Sequence, residues 1–204
     1  MHLIPTQEEV LDLLRRTGGL RKGHFEYPSG LHTGEYLQVA LTMRYHDSSN
    51  FLSVALSRLV RSNPEIRAII PELSIVAPAT GGLPVAYGIS EALRARQVYW
   101  AEREHCDEPM RFRQFLEIRE GEKVLLVDDI LRTGAKLAEL KSLVEARGGE
   151  VVGVAVLVHQ PVPEAVKFDP LPFYSLVHLD PTYYQNAAHC DLCEQGIPLV
   201  KTLV

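Results

Sequence analysis

Hydrophobic and polar positions recur along this chain with two periods. Residues 6–18 open with Thr6 and carry Glu9 three positions later, a capping box, followed by Val10, Leu13 and Leu14 at helical spacing until Gly18-Gly19. That pattern predicts an N-terminal helix. Residues 35–41 predict a strand, and residues 50–61 an amphipathic helix with Leu52, Ala55, Leu56 and Leu59 on one face. Short apolar runs at 74–79, 97–102, 123–129, 151–158 and 173–179 then alternate with helical stretches at 83–95 and 134–147. Strands alternating with helices predict an α/β fold, a doubly wound, mostly parallel sheet flanked by helices, with a ligand site beyond the carboxyl ends of the strands. Residues 103–121 lack a core pattern; their charges, Pro109 and Cys106 predict a mobile loop or an excursion from the sheet.

Composition narrows the class. With 204 residues and 46% hydrophobic content, one compact unit with a sizeable core is expected. A net charge of -5 and a pI near 5.9 argue against nucleic acid as the main partner. No run reaches the ~20 apolar residues a bilayer span needs, and the first residues lack a cationic segment followed by an apolar one, so no membrane partner and a cytoplasmic location are expected. Cys106, Cys190 and Cys193 are too few and too unevenly placed for a disulfide framework.

Candidate chemistry is concentrated in the segment VLLVDDILRTG, residues 124–134. An apolar strand delivers Asp128 and Asp129 to its carboxyl end, and a Thr-Gly turn opens a helix whose free amides can cradle phosphate. Paired acids before a helix can also serve only as caps. A second segment, APATGGLPVAYG at 77–88, ends a strand in small residues that let backbone amides approach an oxyanion closely. Glycines there have a purely conformational reading as well.

Residues 124–134 resemble the PRPP-binding motif of type I phosphoribosyltransferases, where PRPP is 5-phosphoribosyl 1-diphosphate. The resemblance implies that Asp128 and Asp129 hold the ribose hydroxyls, and that Ile130, Leu131, Arg132, Thr133, Gly134, Ala135 and Lys136 complete the motif and its 5-phosphate loop. Ala79, Thr80, Gly81 and Gly82 resemble the family's pyrophosphate loop. GHFEYPSGLHTGEYLQ at 23–38 is similar to the N-terminal signature of the orotate phosphoribosyltransferases, a hairpin forming part of a hood over the base, and CDLCEQGIPLVK at 190–201 is similar to their C-terminal tail. The likeness therefore implies one phosphoribosyltransferase domain over residues 1–204, with residues 1–45 as N-terminal helix and hood hairpin, 50–180 as core and 181–204 as tail.

What this implies about function is specific. A pentosyltransferase would pass the 5-phosphoribosyl group of PRPP to orotate, giving orotidine 5-monophosphate and pyrophosphate in pyrimidine nucleotide biosynthesis. Mg²⁺ is expected, bound mainly through PRPP and pyrophosphate oxygens, with no metal site built from protein ligands. A homodimer is implied, in which residues 101–115 of one subunit reach the neighbouring site; Arg103 and His105 are the candidate catalytic residues of that loop, beside Asp128 and Asp129. Arg103 stands where the family has Lys. His159-Gln160 stands where it usually has Asp-Arg, whose Arg pairs with the orotate carboxylate, and Arg132 replaces a small residue. Arg132, Gln160 and Tyr36 are therefore the candidate base-binding residues, the cation having moved from 160 to 132. The two departures keep open a transferase for another base and a PRPP-binding regulator without transferase activity.

The remaining groups are read as structural. His24 and His32 order the hairpin, Trp100 and Phe115 pack, and Cys190 and Cys193 with His189 supply at most half a zinc site. Tyr183 and Tyr184 carry no assignment.

Overall fold

The structure is a computed structural model and describes residues 4–105 and 108–202. Helix α1 (Gln7–Thr17) starts at Thr6, whose hydroxyl accepts from the Glu9 amide while the Glu9 carboxylate accepts from the Thr6 amide at 2.7 Å. It ends at Gly18, whose φ of 78° is the left-handed conformation that glycine adopts without cost. Strands β1 (Leu20–Glu26) and β2 (His32–Leu37) form an antiparallel hairpin. The expected strand at 35–41 is displaced: β2 stops at Leu37 and the chain turns into α2 (Ala40–Met43), because Val39 and Met43 are buried in the core rather than alternating across a sheet.

Helices α3 (His46–Arg61) and α4 (Pro64–Ile69) lead to β3 (Ser74–Pro78), followed by α5 (Gly82–Leu93), β4 (Gln97–Glu102), β5 (Arg111–Phe112), β6 (Lys123–Leu131), α6 (Ala135–Glu145), β7 (Glu150–His159) and β8 (Phe173–His178). The tail contributes β9 (Tyr183–Tyr184), α7 (Asp191–Glu194) and β10 (Leu199–Lys201). Two sheets result. The central one has the order β5-β4-β3-β6-β7-β8, parallel except for β5; the hood has the order β10-β1-β2-β9.

Alternation along the central strands explains why both faces are covered. Ile75, Ala77, Leu125 and Val127 face a core shared with α1, α3 and α5, while Val76, Val124 and Leu126 face a second core under α6. The segment without a core pattern folds as an excursion: β5 pairs antiparallel with β4, and Met110, Phe112 and Ile118 are buried against the second core. Three hydrophobic side chains spread over nine positions leave no periodic trace in sequence. Cys106, which the sequence placed in this loop, lies outside the described residues. Phe115, expected to pack, is 87% exposed.

After β3 the chain moves outward to β4 and then returns to lay β6 on the other side of β3. Strand order reverses there, which is where open α/β sheets leave a crevice at their carboxyl ends. Registered pairing of β3 with β6 stops at Val76–Leu126, before the end of either strand.

Candidate functional site

Two loops meet above this crevice. Strand β6 carries Asp128 and Asp129 to its end, and residues 128–134 with Lys136 line a cleft of about 290 Å³. From the end of β3, the glycines that open α5 come against the same carboxylates. A Cβ on Gly81 would lie 3.0 Å from both Asp129 carboxylate oxygens, and one on Gly82 would lie 3.2 Å from Asp128 Oδ1. Glycine is required here for close approach. The Ala79–Thr80 peptide is cis.

The acids are held by their own strand. Asp128 Oδ1 accepts the Asp129 amide at 2.9 Å, and Asp129 Oδ1 accepts the Ile130 amide at 2.8 Å. Burial holds the Asp128 carboxyl well above the usual carboxylate range, and the adjacent Asp129 charge adds to the effect. Asp129 is also raised, again by burial, although hydrogen bonding and the charges of Lys136 and Arg132 oppose it. Two desolvated like charges of this kind favour a ligand that brings hydroxyl donors or a cation.

Gly134, with φ 73°, starts α6, and a Cβ there would meet Val166 at 3.0 Å. Thr133 Oγ1 accepts the Ala135 amide at 3.3 Å. The remaining first-turn amides lack intrahelical acceptors by helix geometry and, with exposed Lys136 beside them, form an anion cup. Leu131 is buried, and its carbonyl accepts the Gln160 amide at 2.9 Å.

A second cleft, about 570 Å³, lies between Ala79, Thr80, Arg103, Met110 and Lys136. Arg103 reaches it already engaged: its guanidinium donates to Glu139 of α6 and, at 2.7 Å, to the Glu108 carbonyl. His105 is exposed. Arg113 pairs with Glu102, and Arg111 with Glu104. A third cavity of about 530 Å³ is mainly apolar and borders Leu131, Phe168 and Tyr183 behind the end of β6.

The candidate base residues are brought together. Arg132 Nε donates to Gln160 Oε1 at 3.1 Å, and its terminal nitrogen donates to the Leu37 carbonyl of the hood at 2.9 Å. The guanidinium carbon lies 4.9 Å from the Tyr27 ring centre and 5.9 Å from that of Tyr36. Tyr183 joins this group with its ring 6.4 Å from Tyr27, and burial, with Tyr27 adding to it, pushes its phenol up to about 12. Sequence reasoning missed Tyr27 and Tyr183; the only signal was a tyrosine next to the hairpin turn. Tyr27 Oη, Tyr183 Oη and Gln160 Nε2 are buried without a hydrogen-bond partner among the described residues. Three unpaired polar atoms beside a cation suit a flat polar ligand.

A strand-end acid pair, a glycine loop facing it and an anion-binding helix start together define a class of protein that binds a phosphorylated sugar at the switch point of a parallel sheet. The Phosphoribosyl transferase domain family matches residues 63–174. Along 96% of its length the chain is 37% identical to an orotate phosphoribosyltransferase from Thermoanaerobacter sp. and 34% identical to one from Desulforamulus reducens, covering 96% and 95% of those proteins. The fold matches crystalline orotate phosphoribosyltransferase from Aeropyrum pernix with a TM-score of 0.67 at 20% identity, over 83% of this chain and 93% of that one. The chain belongs to the phosphoribosyltransferase family, in its orotate phosphoribosyltransferase branch.

Proposed function

We propose that the protein transfers the 5-phosphoribosyl group of PRPP to orotate, releasing pyrophosphate. The observation that carries this reading is the buried Asp128–Asp129 pair facing the Gly81–Gly82 loop, within a chain related along nearly its full length to orotate phosphoribosyltransferases. In this reading Asp128 and Asp129 hold the ribose hydroxyls, the start of α6 with Thr133 and Lys136 holds the 5-phosphate, and the Thr80–Gly82 amides take the diphosphate. The bond from the anomeric carbon to the diphosphate oxygen breaks, the diphosphate leaves with both electrons, and a ring nitrogen of orotate, whose proton passes to the departing diphosphate or to water, supplies the pair for the new bond. Positive charge then develops on the ribose, and catalysis comes from positioning and from stabilising the leaving group.

Arg132, oriented by Gln160 and flanked by Tyr27 and Tyr36, faces the orotate carboxylate, while the unpaired Gln160 amide and tyrosine hydroxyls are available to the ring oxygens. Mg²⁺, held mainly through the PRPP and diphosphate oxygens, would fit beside the Asp128–Asp129 carboxylates, whose negative charge favours a hard cation close by. When bound, it would neutralise charge on the leaving diphosphate.

The working unit is a homodimer in which residues 101–115 serve the neighbouring site, with Arg103 and His105 contributing there. Exposed His105 supports this reading, and Arg103 would have to leave Glu139 to take part in it. Cytoplasmic action follows from the substrates; among the described residues no helix is long and apolar enough to cross a membrane.

The test is the fall in near-ultraviolet absorbance of orotate mixed with PRPP, Mg²⁺ and the purified protein, with an Asp128→Asn, Asp129→Asn double variant as control. A fall that disappears in the double variant is expected. PRPP binding without turnover of orotate or of any other base would overturn the reading in favour of a regulator.

A further inference from the structure

Within the hood, His24 on β1, His32 on β2, and Cys190 and Cys193 around α7 converge. One ligand atom from each lies within 4.8 Å of all the others. His24 Nε2 is 2.9 Å from His32 Nδ1, 3.5 Å from Cys190 Sγ and 3.7 Å from Cys193 Sγ; Cys193 Sγ is 3.5 Å from His32 Nδ1. His24, His32 and Cys190 are buried, and Cys193 partly so.

Hydrogen bonding alone does not account for this convergence. His24 Nδ1 lies 2.9 Å from the Ile197 carbonyl, which can only accept, so Nδ1 carries the proton and Nε2 presents a bare lone pair to the cluster. A single in-plane lone pair accepts one good hydrogen bond, yet three polar atoms crowd it. A cation at the centre resolves the crowding. Tetrahedral zinc with bonds of about 2.3 Å to sulfur and 2.0–2.1 Å to nitrogen has ligand-to-ligand edges of roughly 3.3–3.8 Å, which include the 3.5–3.7 Å sulfur-to-nitrogen spacings, while the 2.9 Å contact between the two imidazoles would lengthen on binding. Two thiolates cancel the dipositive charge, so the assembly is neutral where it is buried. The Ile197 carbonyl supplies the outer hydrogen bond that zinc-bound histidines characteristically make.

We propose that His24, His32, Cys190 and Cys193 form a closed, structural zinc site. Four protein ligands leave no open position, so its role is to hold structure. It joins the hood hairpin to the C-terminal tail. Without it the tail is weakly held: β10 pairs with β1 over three exposed residues, and α7 is a single turn. The hairpin so anchored also carries Tyr27 and Tyr36 toward Arg132. The proposal stands independently of which base the enzyme uses.

The test uses the full chain, stripped with a chelator and reloaded with Co²⁺ or Zn²⁺. Expected are one tightly held metal per chain, an intense thiolate-to-cobalt charge-transfer band with tetrahedral visible absorption, displacement of that band by Zn²⁺, and a melting temperature that falls on stripping and recovers on reloading. The band distinguishes this site from cobalt at the Asp128–Asp129 carboxylates, which provide no sulfur. Cys193→Ser should roughly halve the band, which Cys190 alone still supplies, and weaken retention; Cys190→Ser, Cys193→Ser should lose the band, and Asp128→Asn should keep it. Absence of the band in folded wild-type protein, or Cys190 and Cys193 that stay fully reactive to thiol reagents in excess Zn²⁺, overturns the proposal. So does recovery of the two cysteines as a disulfide.

Discussion

Arg132 donates to the side-chain oxygen of Gln160 at 3.1 Å, so two of the residues that depart from the family's usual pattern are partners. Gln160 is fully buried and orients the guanidinium it touches. An arginine at 160 as well would place two cations in contact.

In the proposed reading, replacing Arg132 removes the cation that faces the base. For Arg132→Ala we expect KM for orotate to rise about 10- to 100-fold, the scale of a lost charge-assisted hydrogen bond of about 1.5–3 kcal/mol, with KM for PRPP changed far less. Arg132→Lys keeps the charge but not the fork that reaches both Gln160 and Leu37, and should fall between. Steady-state kinetics with each substrate varied separately decides it; an unchanged orotate KM in a folded Arg132→Ala protein refutes relocation of the cation.

Asp128→Asn should exchange activity for stability. The folded-state pKa of Asp128 is raised, so the folded protein holds a proton that the unfolded chain releases, and stability falls as pH rises from the ordinary carboxylate range through the raised value. Asparagine removes that loss while its oxygen can still accept the Asp129 amide. The variant should melt higher than wild type at neutral pH, by about 2–4 °C per kcal/mol recovered, and the gap should close in acid. Calorimetry across pH would show it.

Gly81→Ala tests the approach of the two loops. Its methyl would sit 3.0 Å from both oxygens of Asp129, and overpacking of this kind costs about 1–3 kcal/mol. With the backbone otherwise helical at this position, the damage should stay local: kcat/KM for PRPP should fall about 10- to 100-fold while the circular dichroism spectrum stays that of wild type.

Glu122 marks the opposite end of the sheet. Burial pushes its carboxyl up, but hydrogen bonds from Ser74, the Arg119 amide, Gln97 and Tyr99 outweigh burial and leave it lowered. A lowered pKa contributes stability above the unfolded value that is lost as pH falls through the folded one. Glu122→Gln should cost about 1–3 kcal/mol at neutral pH with activity retained in the surviving folded protein, and the cost should shrink in acid. Denaturant melts at neutral and acid pH would expose an equal loss at both, which would rule out a charged Glu122.

Much of the molecule is legible locally. Continuous apolar runs and helical periodicity located the five parallel strands of the central sheet and most of the large helices, because burial on both faces demands continuous apolar strands. The acid pair and the two loops facing it were equally readable as strand, turn and helix start, since these are contiguous within 124–136 and 77–88. Strand β2 was misread at its end because 35–41 has the composition of a strand and only packing of Val39 and Met43 turns it into a helix.

What the linear sequence by itself determined, then, is every feature whose parts are neighbours along the chain: the βα units, the PRPP-type motif, the glycine loop and the identity of the departing residues Arg132 and Gln160. Tertiary structure alone decided the features assembled from distant segments. It set Arg132 on Gln160 and beneath Tyr27, held Arg103 on Glu139, and brought His24 and His32 to Cys190 and Cys193, with 166 positions between His24 and Cys190. The physical reason is that spacing rules describe ligands on one turn or hairpin, whereas closing the hood between the two ends of the chain depends on the packing of everything between them.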